Sequence, residues 1–144
     1  MKLLILSDAN SIHTERWIKA IVDNGFEVSL FSFFKPNRNM LVKYDNYNVR
    51  IISPDLKAKI KNIRHPNLSK LQYIKALPLL RKTINDFCPD IMHSHYASSY
   101  GILGLLSRFT PLIVSVWGSD IYDFPYKNKL EYQNLKSQPF YPIP

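Results

Sequence analysis

Two short apolar segments in the second half of the chain each end in a cluster of polar and aromatic side chains. Residues 89–96 read Pro-Asp-Ile-Met-His-Ser-His-Tyr, and residues 114–125 read Val-Ser-Val-Trp-Gly-Ser-Asp-Ile-Tyr-Asp-Phe-Pro. Short apolar runs bounded in this way are typical of buried strands in a parallel sheet. Side chains just beyond the carboxyl ends of parallel strands meet at one edge of the sheet, where ligands bind. We therefore expect the functional site at that edge.

Predicted strands alternate with predicted helices along the rest of the chain. The strands are expected at residues 2–7, 26–34, 48–53, 90–93 and 112–116. The first helix is capped by Asn10 or Ser11 and ends at Gly25. A second helix ends at Phe87 and a third covers residues 98–108. This alternation predicts an α/β fold, a Rossmann-like three-layer domain whose parallel sheet is covered on both faces.

Two details of the helices follow from their residues. The first helix is expected to bury one apolar face, made of Ile12, Trp17, Ile18, Ile21 and Val22. In the helix that ends at Phe87, Pro78 either kinks the helix or begins its second half, because proline cannot donate a backbone hydrogen bond.

Length and composition indicate one globular domain. The chain has 144 residues, of which 46% are hydrophobic, and this is enough to bury a core. Its apolar runs are far shorter than the roughly 20 residues that span a bilayer. The single cysteine, Cys88, permits no internal disulfide, which agrees with a cytoplasmic protein.

Basic residues are concentrated between positions 57 and 82. The chain carries a formal charge of +8, and this segment contains no Asp or Glu. One interpretation is peripheral binding to an anionic membrane surface, such as the inner face of the cell membrane. The alternative is a solvated face over an ordinary core stripe. We expect no nucleic-acid partner, because no recognition motif for nucleic acid accompanies the charge. The basic residues are Lys57, Lys59, Lys61, Arg64, Lys70, Lys75, Arg81 and Lys82.

The loop after the first strand leads to the amino terminus of a helix, which favours an anion. It lacks the glycines of dinucleotide and P-loop motifs. Asp8, Asn10 and Ser11 either contact a ligand there or only turn and cap the backbone. His13 and Arg16 are three residues apart and share a helix face. They either hold a phosphate or carboxylate or are an ordinary exposed pair.

His93 and His95 are two residues apart, so both imidazoles point to the same side of the sheet. A metal site would need a further ligand, for which Asp8 or Asp120 is the candidate. The alternative is that one histidine packs at the strand end while the other, His95, faces the cleft. We favour this second interpretation and expect no metal.

Residues 117–120 directly follow the last predicted strand. Gly118 permits a sharp turn, so that Ser119 and Asp120 face the edge of the sheet. Asp120 is suited to accept a hydrogen bond from a sugar hydroxyl or to act as a base, and Trp117 to stack on a ring. The alternative is a turn stabilised by the Asp120 side chain beside a core tryptophan.

Taken together, the motifs at residues 7–17, 89–96 and 116–120 resemble the amino-terminal half of a family 4 glycosyltransferase of the GT-B type, over about residues 1–125. The resemblance implies an enzyme of two Rossmann-like domains that face each other. The first binds the acceptor, and the second binds the nucleotide-sugar donor. Transfer retains anomeric configuration and uses neither metal nor cofactor.

The resemblance also assigns roles to residues. It implies that His95 and Asp120 are catalytic. The residues expected to bind substrate are Asp8, Asn10, Ser11, His13, Arg16, Tyr96, Trp117, Gly118 and Ser119.

The resulting expectation is the acceptor-binding half of a hexosyltransferase that acts in cell-envelope or surface-polysaccharide synthesis. Its partners would be a nucleotide-sugar and a saccharide or lipid-linked acceptor. Residues 1–125 form the domain, and residues 126–144 form an irregular tail with three prolines in its last six residues. With the donor domain absent, little activity is expected. The alternatives are a non-catalytic module that binds a saccharide or a protein, and a metal-dependent hydrolase that uses His93, His95 and Asp8.

Overall fold

The computed structural model describes residues 1–56 and 71–117, which form five strands, five α-helices and one π-helical segment. The strands are β1 (Lys2–Leu6), β2 (Glu27–Phe31), β3 (Arg50–Ile52), β4 (Ile91–His95) and β5 (Leu112–Ser115). The α-helices are α1 (Ile12–Asp23), α2 (Arg38–Asn46), α3 (Leu71–Ile74), α4 (Leu77–Phe87) and α5 (Ile102–Ser107). The π-helical segment is Tyr96–Gly101.

All five strands are parallel and lie in the order β3-β2-β1-β4-β5. The chain therefore first builds the sheet outward from β1 and then returns to the other side of β1 to add β4. In the pairing of β1 with β4, Ile5 lies opposite His93 and Leu6 lies opposite Ser94. The strand order reverses between β1 and β4, and such reversal points open a crevice at the carboxyl ends of the strands. The α/β fold with a parallel sheet is confirmed.

The two faces of the sheet bury separate cores, because side chains alternate along each strand. On one face, Leu3 and Ile5 of β1 pack in the same cluster as Ile18 of α1 and Tyr44 of α2. On the other face, Leu4 and Leu6 pack with residues of α4 and the segment that follows β4, among them Leu80, Tyr100 and Leu103. Ser7, His93 and His95 continue the first face toward the carboxyl edge, which we call the rim.

The buried face of α1 differs from the expected one. Thr14, Glu15 and Ile18 are its buried residues, whereas Ile12 and Trp17 are 42% and 44% exposed. The prediction was therefore wrong for Ile12 and Trp17, although Ile21 and Val22 do pack against the core on this face. The rotation of the helix brings Thr14 against Ser7 instead, because their hydroxyl oxygens are 2.7 Å apart.

Helix α2 was not predicted. Its apolar residues Met40, Leu41 and Val42 are contiguous and lack helical spacing. The helix forms because the Asn37 side chain accepts a hydrogen bond from the Met40 N–H at 3.0 Å. The fully buried Tyr44 anchors it by donating to the Ala9 carbonyl at 3.0 Å.

Two other helices bear on the sequence interpretation. Pro78 lies in the first turn of α4, so the second of the two alternatives holds, and Pro78 begins a helix rather than kinking one. The single helix expected at residues 98–108 is instead the π-helical segment followed by α5, and Arg108 ends α5 in the left-handed region at φ 63°. Strand β4 is longer than expected and includes His95. No helix in residues 1–56 and 71–117 is long and apolar enough to cross a membrane.

Candidate functional site

Three buried polar side chains are linked at the rim, between β1, α1 and β4. The Ser7 Oγ lies 2.7 Å from the Thr14 Oγ1 and 3.0 Å from the His95 Nδ1. All three residues are almost fully buried, and His95 is only 1% exposed. The link therefore joins the ends of the two central strands at the point where the strand order reverses.

Aromatic rings enclose His95. The ring centroid of His93 lies 4.8 Å from that of His95, and those of Trp117 and Trp17 lie at 5.6 Å and 5.9 Å. All three contacts are edge-on. His93 is itself fixed by a hydrogen bond of 2.8 Å between its Nε2 and the Ser115 Oγ of β5. The two histidines are thus on one face of the sheet and in ring contact.

Burial keeps both histidines neutral. Desolvation lowers the pKa of His93 below its ordinary value, and desolvation together with the neighbouring His93 lowers the pKa of His95 to about 4. At neutral pH each imidazole is therefore a neutral donor and acceptor of hydrogen bonds rather than a cation.

The backbone after β4 is unusual. Tyr96 has a positive φ of 68°, which is uncommon for a bulky residue, and it begins the π-helical segment. Both features occur preferentially at functional sites. The centroid of the Tyr96 ring lies 5.9 Å from that of Trp117, and the centroid of the His13 ring lies 5.5 Å from that of Trp117. Tyr96, Trp117 and His13 therefore form an aromatic wall beside His95.

The first loop uses several of its polar groups to hold its own shape. The Asp8 carboxylate accepts a hydrogen bond from the Asn10 N–H at 2.9 Å. The Asn10 amide oxygen accepts from the Asn37 N–H at 2.8 Å, and its nitrogen donates to the Lys35 carbonyl at 3.0 Å. Ser11 is the N-cap residue of α1 but makes no side-chain cap hydrogen bond. Asp8 and Asn10 thus shape the rim and tie the first loop to the loop that follows β2.

The remaining predicted residues fall into two groups. The side chains of His13 and Arg16 are both exposed on the first turns of α1, next to the rim. Gly118, Ser119 and Asp120 lie outside the described residues.

Within residues 1–56 and 71–117 no group of three His, Cys, Asp or Glu side chains is arranged to hold a metal ion. The metal-dependent alternative therefore finds no third ligand for His93 and His95 in this part of the chain.

Comparison with known proteins places the chain in a family. A family model described as glycosyl transferase 4-like matches residues 2–138. The chain belongs to the glycosyl transferase 4-like family. No curated protein matches the chain significantly. The expected relationship to family 4 glycosyltransferases is therefore confirmed at the level of the domain.

Solved structures with the same fold are more distant from this glycosyl transferase 4-like domain. A deacetylase–bog complex from the biosynthesis pathway of teicoplanin has a TM-score of 0.51 at 13% identity, covering 74% of this chain and 62% of that one. A deacetylase–teicoplanin complex from the same pathway has the same TM-score and identity, covering 74% of this chain and 65% of that one. The chain thus spans less than two thirds of either protein. At this identity the likeness shows the fold alone.

Sequence patterns do not single out the neighbours of His95 in this glycosyl transferase 4-like domain. Ser7 and Trp17 enter only as parts of the motif at residues 7–17, and Thr14 is not among the candidate site residues. A signal was present, because Leu3, Ile5 and Ser7 alternate onto one face of β1. Thr14 and Trp17 are three residues apart and therefore share a helix face. The spacing gives the face on which each residue lies, whereas the contact between Ser7 and Thr14 depends on how α1 packs.

Proposed function

We propose that this chain is the acceptor-binding domain of a retaining glycosyltransferase. The reaction would move a sugar from a nucleotide-sugar to a saccharide or to a lipid-linked saccharide. The observation that carries the proposal is the family match over residues 2–138, which spans the strands whose ends meet at the rim. Residues 1–125 are proposed as the acceptor domain, with residues 126–144 as an irregular tail. A second domain is proposed to bind most of the donor nucleotide.

The rim has the chemistry that saccharide binding requires. Sites for small ligands combine aromatic and apolar walls with a few placed polar groups. Here Trp117 and Tyr96 supply the wall, and His95 and His13 supply the polar groups nearest to it. A neutral His95 suits hydroxyl groups, because it exchanges hydrogen bonds without a charge to desolvate. His95 and Asp120 are the residues that we propose to act in catalysis.

A lipid-linked acceptor would also account for the positive charge of the chain. A lipid-linked saccharide would be met at an anionic membrane surface, and residues 57–82 carry basic side chains without any acidic one. We propose peripheral binding to such a surface and a role in cell-envelope or surface-polysaccharide synthesis.

The proposal is tested by ligand binding to the whole chain. Saturation-transfer NMR with a panel of octyl glycosides, alongside UDP-glucose and GDP-mannose, compares acceptor-like and donor-like probes. We expect saturable binding of at least one glycoside and weaker binding of both nucleotide-sugars.

A matched pair of variants locates the binding site. Trp117→Ala should weaken glycoside binding about tenfold or more, which corresponds to roughly 1.4 kcal/mol. Phe26→Ala removes a half-buried aromatic side chain just before β2, at the opposite edge of the sheet, and should leave binding unchanged. Absence of glycoside binding, or equal losses in both variants, would contradict the proposal.

A further inference from the structure

The His95 ring is left with one unpaired nitrogen. Its Nδ1 is hydrogen-bonded to Ser7, but its Nε2 is buried and has no hydrogen-bond partner among the described residues. A buried polar group without a partner destabilises the fold, because nothing replaces the hydrogen bonds that it made to water. Such a group in a well-packed site requires an explanation, and a ligand that completes the hydrogen bond is one of the few available.

The Ser7–Thr14 pair determines which nitrogen carries the proton. Within the described part of the chain, Ser7 is the hydrogen-bond partner of the Thr14 hydroxyl, and no other is present. If Thr14 donates to Ser7 and Ser7 donates to Nδ1, both hydroxyl protons have an acceptor and the imidazole proton lies on Nε2. The opposite direction leaves the Thr14 proton without an acceptor and Nε2 as a bare lone pair. The first arrangement leaves fewer groups unpaired, so it is favoured.

Packing holds the ring in this orientation. His93 and Trp17 contact the His95 ring edge-on, with centroids at 4.8 Å and 5.9 Å, and the ring is 1% exposed. Burial also favours the neutral form of His95. A neutral ring with a fixed rotamer and a fixed proton is a preorganised hydrogen-bond donor.

We propose that Ser7 and Thr14 are positioning residues that fix His95 with its proton on Nε2, so that this N–H donates to an oxygen of the bound saccharide. The inference rests on the proposed function, because it takes the rim as the saccharide site. Neither residue would touch the ligand. Ser7 acts on His95 directly, and Thr14 acts through Ser7.

The experiment reads the imidazole protons directly. The whole chain is labelled with ¹⁵N-histidine, and long-range ¹H–¹⁵N NMR at pH 7 distinguishes protonated from bare ring nitrogens. His95 is assigned by the loss of its signals in His95→Gln. We expect the Nε2-protonated pattern in the unaltered chain and a mixture of both tautomers in Ser7→Ala and in Thr14→Val. Octyl glycosides that bind should shift the Nε2 signal.

Thr83→Val is the matched control. Thr83 is also a buried helical threonine, but its hydroxyl donates to the Leu79 carbonyl of its own helix at 2.9 Å. This variant should leave the His95 pattern unchanged. Where Ser7→Ala does not fold, Thr14→Val decides the question, because valine keeps the shape of threonine.

The outcomes separate this inference from the proposed function. The tautomer is read without any sugar present. A proton on Nδ1 in the unaltered chain, or an unchanged pattern in both variants, overturns the positioning role even if glycosides bind. A fixed Nε2 proton in a chain that binds no glycoside supports the positioning role but overturns the proposed function and the saccharide as its ligand.

Discussion

At the scale of the residue, the buried His95 makes stability depend on pH. Its pKa is lowered to about 4 in the folded chain against an ordinary 6.5 in the unfolded chain. The stability contributed by the neutral ring is complete above about pH 6.5, and it is lost as the pH falls toward 4 because the unfolded chain binds the proton first. The loss amounts to about 3 kcal/mol. Urea unfolding at several pH values between 7 and 4 measures it.

One variant isolates this effect from the titration of carboxylates. His95→Gln should flatten the fall in unfolding free energy between pH 6.5 and 4.5. A slope parallel to that of the unaltered chain would contradict the prediction.

A second residue, Ser94, carries a buried hydroxyl without a hydrogen-bond partner among the described residues. It lies on the opposite face of β4 from His95, in an apolar environment beside Gly104. Replacing an unpaired buried hydroxyl by hydrogen removes a desolvation cost, so Ser94→Ala should stabilise the fold by about 1 kcal/mol.

Ser29→Ala is the control for Ser94→Ala. Ser29 is equally buried, but its hydroxyl donates to the Arg50 carbonyl at 3.1 Å. This variant should destabilise by about 1 kcal/mol, because it removes that hydrogen bond. Chemical denaturation of both variants gives opposite signs if the interpretation is correct, and losses of stability in both would refute it.

At the scale of the element, Gly104 sets how closely α5 packs on the sheet. A Cβ at this position would lie 2.7 Å from the Ser94 Oγ and 3.1 Å from the Leu112 Cδ1. Gly104→Ala should therefore force α5 outward and cost about 1–3 kcal/mol. Adding Ser94→Ala removes the closer of the two obstacles, so the double variant should recover part of the loss.

Gly25→Ala provides the comparison. Gly25 has a φ of +82° with open space around it, so alanine there adds backbone strain without a clash. Ser94→Ala should not relieve that loss. Thermal unfolding of the unaltered chain, Gly104→Ala, Ser94→Ala and the double variant measures the coupling between the two sites. Strictly additive effects of Gly104→Ala and Ser94→Ala would contradict close packing of α5 on β4.

The elements that sequence patterns predict well are those whose signal is local. Strand β1 is an apolar run with clear ends, and Pro78 marks the region in which α4 begins, because its ring fits the first turn of a helix. Helix α2 has only a weak local signal in its cap residue Asn37, because its apolar residues lack helical spacing and Tyr44 is held through a tertiary hydrogen bond to Ala9. The π-helical segment depends on Tyr96 in the left-handed region, which favours glycine or asparagine and is not expected for tyrosine.

In the candidate site, too, local sequence patterns indicate some features and tertiary packing decides the others. The polar clusters at strand ends indicated the rim, because parallel strands end on one side. The Ser7–Thr14–His95 link depends on the rotation of α1, which the apolar residues of that helix did not indicate. Trp17 is hydrophobic but lies exposed over the two histidines rather than in the core. Side-chain chemistry indicated the candidate site, and only packing revealed how its residues are held.

At the scale of the whole molecule, the net charge of +8 and its concentration in residues 57–82 predict binding to anionic membranes. Flotation with vesicles that contain phosphatidylglycerol should carry the chain upward, and vesicles of phosphatidylcholine alone should not. Each basic residue near such a surface contributes about 1 kcal/mol. Changing Lys57, Lys59 and Lys61 to Gln should therefore lower the partition coefficient roughly 100-fold.

A control with the same net charge distinguishes a located surface from a general attraction. Glutamine at Lys2, Lys19 and Lys43 also removes three positive charges, but outside the basic segment. If the segment docks on the membrane, this control should float nearly as well as the unaltered chain, because it keeps every basic residue of the segment. Equal losses in the two triple variants would mean that only total charge matters. Equal flotation on neutral vesicles would mean that the attraction is not electrostatic, and either result would refute a basic docking surface.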